Sequence, residues 1–142
     1  MNCMNAVASK LLERIHKKQA VVGVIGLGYV GLPLARAFSR AGFRVLGFDI
    51  DALKVEKLNR GQSFIKQIPD ETVAGMRANG FEATEKFERL SEPDAILICV
   101  PTPLTEAREP DLTYVVNSAN AIGSRLRAGQ LVILESTTYP ST

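Results

Sequence analysis

The chain has 142 residues, 46% hydrophobic and 23% charged, which suits one globular domain large enough to bury a real core. A formal net charge of +2, with no run of Lys and Arg interleaved with aromatics, argues against nucleic acid and against an anionic membrane surface as partners. No apolar stretch reaches membrane-spanning length, and the two cysteines, Cys3 and Cys99, form neither a disulfide framework nor a metal-ligand spacing, so a reducing cytoplasm is the expected compartment.

Val7, Leu11 and Ile15 recur every four residues, with Lys10, Arg14, Lys17 and Lys18 off that stripe, which predicts an amphipathic helix ahead of the main fold. The N-terminal segment lacks the continuous apolar run of a signal peptide, and residues 1–19 read as a helical extension to a domain over residues 20–142. His16, the one histidine, falls in that helix as a surface residue. From residue 20 strands and helices alternate. "AVVGVIG" is a continuous apolar run, as expected of a central parallel strand. Val30, Leu34, Phe38 and Ala41 follow helical spacing up to Gly42. "FRVLGFD" is a second strand, and "DALKVEKLNRG" a short helix with Leu53, Val55 and Leu58 as its apolar residues. Pro69–Asp70 opens another helix that Gly80 ends. "FEATEKF" is a third strand and "DAILICV" a fourth, stopped by "PTP". Leu112, Val115, Val116, Ala119, Ile122 and Leu126 mark a longer helix, and "QLVILE" reads as a fifth, buried strand. Strands separated by helices predict an α/β fold: a Rossmann-type doubly wound parallel sheet in three αβα layers.

"VIGLGYVG" places Gly26-x-Gly28-x-x-Gly31 between the first strand and its helix, with Asp49 closing the second strand 18 residues beyond Gly31. Gly26 permits the turn out of the strand, Gly28 lets backbone approach a pyrophosphate, and Gly31 lets the helix lie close to the sheet. The helix N-terminus then favours the diphosphate. A carboxylate at Asp49 accepts hydrogen bonds from both hydroxyls of an adenosine ribose and repels a 2′-phosphate, so NAD is expected over NADP; Lys54 is near enough in sequence to offset part of that repulsion. The candidate cofactor-binding set comprises Gly26, Gly28, Tyr29, Val30, Gly31, Asp49, Ile50, Lys54, Val100, Thr102 and Thr138. Strand ends 4 and 5 bring "VPTPL" and "ESTTYP" to the same rim. The same pattern admits a plainer reading, in which the glycines serve turns and Asp49 caps the helix beginning near Asp51. Cys99 lies within an apolar strand and reads as a buried, unreactive thiol, whereas Cys3 lies in a terminus expected to fray.

"GVIGLGYVGLPLA", "GFDID", "VPTPL", "EPDLTYV" and "LESTTYP", in that order, resemble the N-terminal domain of the UDP-glucose/GDP-mannose dehydrogenases, most closely the UDP-N-acetylglucosamine 6-dehydrogenase branch. The resemblance implies NAD as cofactor and a UDP-sugar whose C6 is oxidised to a carboxylate in two successive hydride transfers. In such enzymes a cysteine traps the aldehyde as a thiohemiacetal, and the thioester formed by the second oxidation is hydrolysed. It further implies that Asp49 binds the adenosine ribose with Lys54 adjacent, that Thr102 contacts the cofactor near its nicotinamide half, and that Thr138 is the catalytic residue positioning the water. Ser141 stands where the family continues with glycine. The family's catalytic cysteine, its catalytic lysine and asparagine, its dimerising helix and its UDP-binding domain have no counterpart in these 142 residues. The chain is therefore expected to be the cofactor half of a homo-oligomeric enzyme, able to bind NAD and inactive alone. The alternatives are a stand-alone nucleotide-sensing module of the same fold, which would have no use for Thr138 in "ESTTYP", and an S-adenosylmethionine-dependent methyltransferase, against which the full glycine spacing and the later motifs argue.

Overall fold

Apolar side chains on both sides of every inner strand require a sheet covered on its two faces, and the computed structural model, which describes residues 3–135, contains one. In chain order the elements are α1 (Cys3–His16), β1 (Val21–Ile25), α2 (Gly31–Arg40), β2 (Arg44–Phe48), α3 (Ala52–Asn59), α4 (Asp70–Ala78), β3 (Glu82–Thr84), a 3-10 turn (Phe87–Ser91), β4 (Ala95–Ile98), α5 (Thr113–Arg125) and β5 (Leu131–Leu134). All strand pairs are parallel and the order is β3-β2-β1-β4-β5. Val22, Val24, Val45, Leu97 and Cys99 pack on one face with residues of α2, α3 and α4. Ile25, Leu46, Phe48, Ile96 and Ile98 pack on the other with Leu90 of the 3-10 turn and Ile122 of α5. This is the Rossmann-like α/β architecture that the alternating pattern predicts.

Register decides where function can sit. Ile25 pairs with Phe48 and with Ile98, and Ile98 pairs with Leu134, so four strands end level on one rim. The chain builds outward from β1 through β2 to β3, then crosses to β4 on the other side. The crevice between β1 and β4 at the carboxyl ends is the topological switch point, where open α/β sheets hold ligands.

The opposite rim is held by one buried carboxylate. Asp94 is 2% exposed, and its Oδ2 accepts the Val21 N–H at 2.8 Å. Its Oδ1 accepts from Arg14 of α1 at 2.8 Å and from Arg127 of the α5–β5 turn at 3.1 Å. A buried charge is tolerable only when its lone pairs are filled in this way. The N-terminal helix is thus fastened to the sheet through Arg14.

Several sequence expectations need correction. The third strand is only Glu82–Thr84; Phe87 instead opens the 3-10 turn. In α2 the buried positions are Gly31, Leu32, Ala35 and Ser39, while Leu34 and Phe38 are half-buried and Val30 is exposed, so the face against the sheet is rotated from the expected stripe. Leu53 is exposed while Val55 and Leu58 are buried. β5 is not the buried strand its apolar run suggests: Leu131, Val132 and Leu134 are 43%, 40% and 51% exposed. Among the described residues it pairs with β4 alone, and Leu112, Val116 and Leu126 at α5 are exposed as well.

Asp94→Ala is expected to lower the unfolding free energy by about 2–3 kcal/mol, because it orphans the Val21 N–H and removes the carboxylate that Arg14 and Arg127 share. Arg14→Ala and Arg127→Ala, whose side chains are 45% and 39% exposed, should each cost under about 1 kcal/mol. Urea denaturation of the three variants checks the ranking.

Candidate functional site

The strand ends at the switch point open into a cavity of about 680 Å³, within the range for small-molecule and cofactor sites. Its floor is the glycine loop. Gly26 leaves β1 at φ +93°, a conformation that side-chain-bearing residues rarely adopt, and its N–H donates to the Phe48 carbonyl at 2.8 Å. Gly31 begins α2 so close to the loop that an added Cβ would stand 1.7 Å from the Gly26 carbonyl oxygen. A Cβ on Gly28, by contrast, would meet nothing within 4 Å. Turn and packing explain Gly26 and Gly31. They do not explain Gly28, whose bare backbone faces open space at the N-terminus of α2. The N–H groups of Tyr29 and Val30 donate to no backbone or side-chain acceptor among the described residues, the arrangement that cradles a diphosphate.

Asp49 does not cap a helix. Asp51 does that, its Oδ1 accepting from the Leu53 and Lys54 N–H groups at 3.0 and 3.4 Å. Asp49 is 8% exposed and lines the cavity. Its Oδ2 accepts from the Leu27 N–H at 2.9 Å, tying the glycine loop to the end of β2, and its Oδ1 accepts from the Asp51 N–H at 2.9 Å. Each oxygen keeps a lone pair for a ligand hydroxyl.

The cavity brings together Gly26, Gly28, Tyr29, Val30, Asp49, Ile50, Lys54 and Val100 of the expected set, with Glu135 at the end of β5. Gly31 lies beneath the loop, buried, and Thr102 is half-buried beyond Pro101 and is not part of the wall. Thr138, with Ser136 and Thr137, lies outside the described residues. Wall positions that the sequence pattern does not mark include Phe87, Tyr114, Asn117, Ser118 and Ala121. Tyr114, Ser118 and Ala121 share one face of α5 at helical spacing, and the Ser118 hydroxyl donates back to the Tyr114 carbonyl at 2.8 Å. Beyond Tyr114 that face carries the small residues Ser118 and Ala121, which leave room, and a search for large apolar side chains passes over them. Phe87 stacks on Phe48 with ring centroids 5.7 Å apart, closing the cavity behind Ile50.

Cys99 also touches the cavity, at 7% exposure, and burial pushes its thiol up to about 11, with Glu135 adding a smaller push. It is a wall residue and no nucleophile at neutral pH. No three His, Cys, Asp or Glu side chains among the described residues are grouped to hold a metal ion, and no helix among them is long and apolar enough to cross a membrane.

Gly31→Ala is expected to cost on the order of 4 kcal/mol in folding stability, because the backbone must shift. Gly28→Ala should change it by under about 1 kcal/mol; thermal melts of the two variants separate the packing glycine from the ligand-facing one. Iodoacetamide at pH 8 should leave Cys99 unmodified in the folded chain and label it once urea unfolds the protein, as read by peptide mass spectrometry.

Comparison with known proteins gives this rim a family. Residues 5–142 match the NAD binding domain of the UDP-glucose/GDP-mannose dehydrogenase family. The chain is 45% identical over 123 residues to the UDP-N-acetyl-D-mannosamine dehydrogenase of Escherichia coli (strain K12), covering 84% of this chain and 28% of that protein. It is 35% identical over 119 residues to the UDP-N-acetyl-D-glucosamine 6-dehydrogenase of Salmonella typhi, with 84% and 27% covered. Its fold superposes on the crystal structure of NDP-N-acetyl-D-galactosaminuronic acid dehydrogenase from Methanosarcina mazei Go1 with a TM-score of 0.78 at 36% identity, over 94% of this chain and 31% of that one. The chain thus spans just over a quarter of the length of these curated relatives. An open backbone cradle at Gly28, a buried carboxylate at the end of β2 and a family match over nearly the whole length agree: the chain belongs to the UDP-glucose/GDP-mannose dehydrogenase family and carries its NAD-binding domain.

Proposed function

We propose that residues 20–142, with the extension 1–19 fastened to them by Arg14, form the cofactor half of an enzyme that oxidises C6 of a UDP-linked 2-acetamido sugar to the carboxylate, reducing two NAD⁺. The observation that carries this reading is the rim itself: a diphosphate cradle and a ribose-facing carboxylate on one cavity, in a chain whose relatives are named for acetamido-sugar substrates. UDP-N-acetylglucosamine, the substrate the sequence motifs favour, and UDP-N-acetylmannosamine differ only at C2 of the sugar, and relatives named for each support the class.

The residue roles in this reading build on the geometry of the cavity and on the family resemblance. The Tyr29 and Val30 N–H groups and the α2 N-terminus hold the pyrophosphate. Asp49 takes the ribose hydroxyls with the lone pairs its backbone contacts leave free, and repels a 2′-phosphate. Ile50, Phe87 and the stem of Lys54 flank the adenosine end, while Val100, Thr102 and Glu135 lie toward the reacting end. NAD⁺, when bound, supplies the hydride acceptor. Thr138, which follows β5 by four residues, positions the hydrolytic water in this reading. Neither cysteine serves as the nucleophile that traps the aldehyde in this reading: Cys99 is buried with its thiol pushed up to about 11, and Cys3 matches neither the sequence context nor the position of the family's nucleophile. The chain by itself therefore binds NAD⁺ without turning over a sugar, and the full-length enzyme, a cytoplasmic homo-oligomer in this reading, supplies the remaining groups.

Calorimetric titration of the purified chain is expected to show saturable NAD⁺ binding with at least about tenfold preference over NADP⁺. Asp49→Asn should weaken NAD⁺ binding and narrow that preference. It should also cost about 1–2 kcal/mol of stability, since an amide group then faces the Leu27 or Asp51 N–H. Equal affinities of the wild type for the two dinucleotides would refute the ribose assignment. NADH production from the chain with either UDP-sugar would refute its inactivity.

A further inference from the structure

Lys54 presents an electrostatic problem at the adenosine end. It lies in the first turn of α3, where the helix dipole disfavours a cation, and it lines the same cavity as Asp49 and Asp51. Yet among the described residues its ammonium makes no ion pair with either carboxylate. It sits instead over the Phe64 ring, 5.2 Å from the centroid.

The platform beneath it is fixed from both sides. Ser63, just before Phe64, gives its N–H to Asp70 Oδ1 at 2.8 Å, and its hydroxyl both accepts from the Ile65 N–H and donates to the Ile65 carbonyl at 3.0 Å. Ile65, just after, is 4% exposed, and Phe64 itself packs half-buried against the core below α2 and α4. The Lys54 backbone is pinned in turn by the Asp51 cap. The ring and the lysine backbone are therefore held by separate anchors, and the ammonium meets the ring across the gap between them.

We propose that Phe64 is a positioning residue for cofactor selectivity: by holding the Lys54 ammonium over its ring it keeps that cation off Asp49 and Asp51, so the adenosine end stays net negative and rejects a 2′-phosphate. The inference rests on the reading of Asp49 as the ribose-binding carboxylate. A lysine released from the ring swings over the cavity mouth, neutralises part of the carboxylate field and offers a 2′-phosphate a partner. Selectivity at this site is then set by a residue outside the cavity wall.

A double-mutant cycle with NAD⁺ and NADP⁺ titrations tests this. Phe64→Leu keeps an apolar anchor and should narrow the NAD⁺ preference by roughly threefold to fivefold, the scale of one exposed cation–π contact. Phe64→Tyr should keep it. Phe64→Leu combined with Lys54→Met should restore the wild-type ratio, because the released cation is gone. A double variant as relaxed as Phe64→Leu alone would overturn the proposal, as would a Phe64→Leu ratio equal to that of the wild type. Proton–carbon NMR of the wild-type chain without cofactor gives an independent reading: the Lys54 ε-methylene should show an upfield ring-current shift, and a random-coil position would overturn the proposal whatever the titrations show. A wild type that binds neither dinucleotide while showing that shift would sink the ribose assignment and leave the placement of Lys54 standing.

Discussion

Everything at the functional rim depends on how closely α2 approaches β1. With a hydrogen in place of a side chain at Gly31, the first turn of the helix rests directly on the Gly26 carbonyl, at a distance no Cβ could survive. That contact aims the helix N-terminus across the end of the strand. It also fixes the loop between them, so that Gly28 turns its bare backbone outward and the Tyr29 and Val30 amides find no acceptor among the described residues. An anion site made from backbone dipoles needs no charged side chain, which is why this rim binds phosphate chemistry without a cluster of lysines.

Asp49 completes the same arrangement from the neighbouring strand. Its carboxylate is committed first to structure, bridging the Leu27 and Asp51 amides, and only then to a ligand. The cavity floor is consequently preorganised: the glycine loop and the Asp49 carboxylate are one hydrogen-bonded unit. The charge of that unit matters as much as its shape. Asp49 and Asp51 stand at the end of β2 with a single lysine nearby, drawn over an aromatic ring. At the other rim Asp94 does the equivalent structural work with charged partners, a reasonable division in a fold whose ligand end must keep its polar groups available.

The half-exposed β5 and the outer face of α5 follow from topology. A strand that is bonded on one side only among the described residues, under a helix whose buried positions are chiefly Ser118 and Ile122, keeps apolar residues exposed. Where that helix lines the cavity, Ser118 and Ala121 are small and leave the space that larger side chains would have filled.

The sequence by itself determined the alternation of strands and helices, the glycine spacing, the acidic residue after β2 and the family. Each of these is a local pattern: period, turn chemistry and residue type at fixed offsets carry it, and it survives without knowledge of neighbours. It also named eight of the residues that line the cavity, from Gly26 to Val100. Only the tertiary structure decided which faces are buried and which residues meet across the chain. Periodicity marked large apolar residues on α5, but burial depends on what lies opposite, so the wall is Tyr114, Ser118 and Ala121 instead. The apolar run of β5 matched that of β4, but one has two strand neighbours and the other has one. Nor could spacing reveal that Asp51, two residues beyond Asp49, is the helix cap, or that Phe64, ten residues beyond Lys54, supplies the ring beneath it. Those facts belong to pairs of groups brought together by folding, and no single residue in the string carries them.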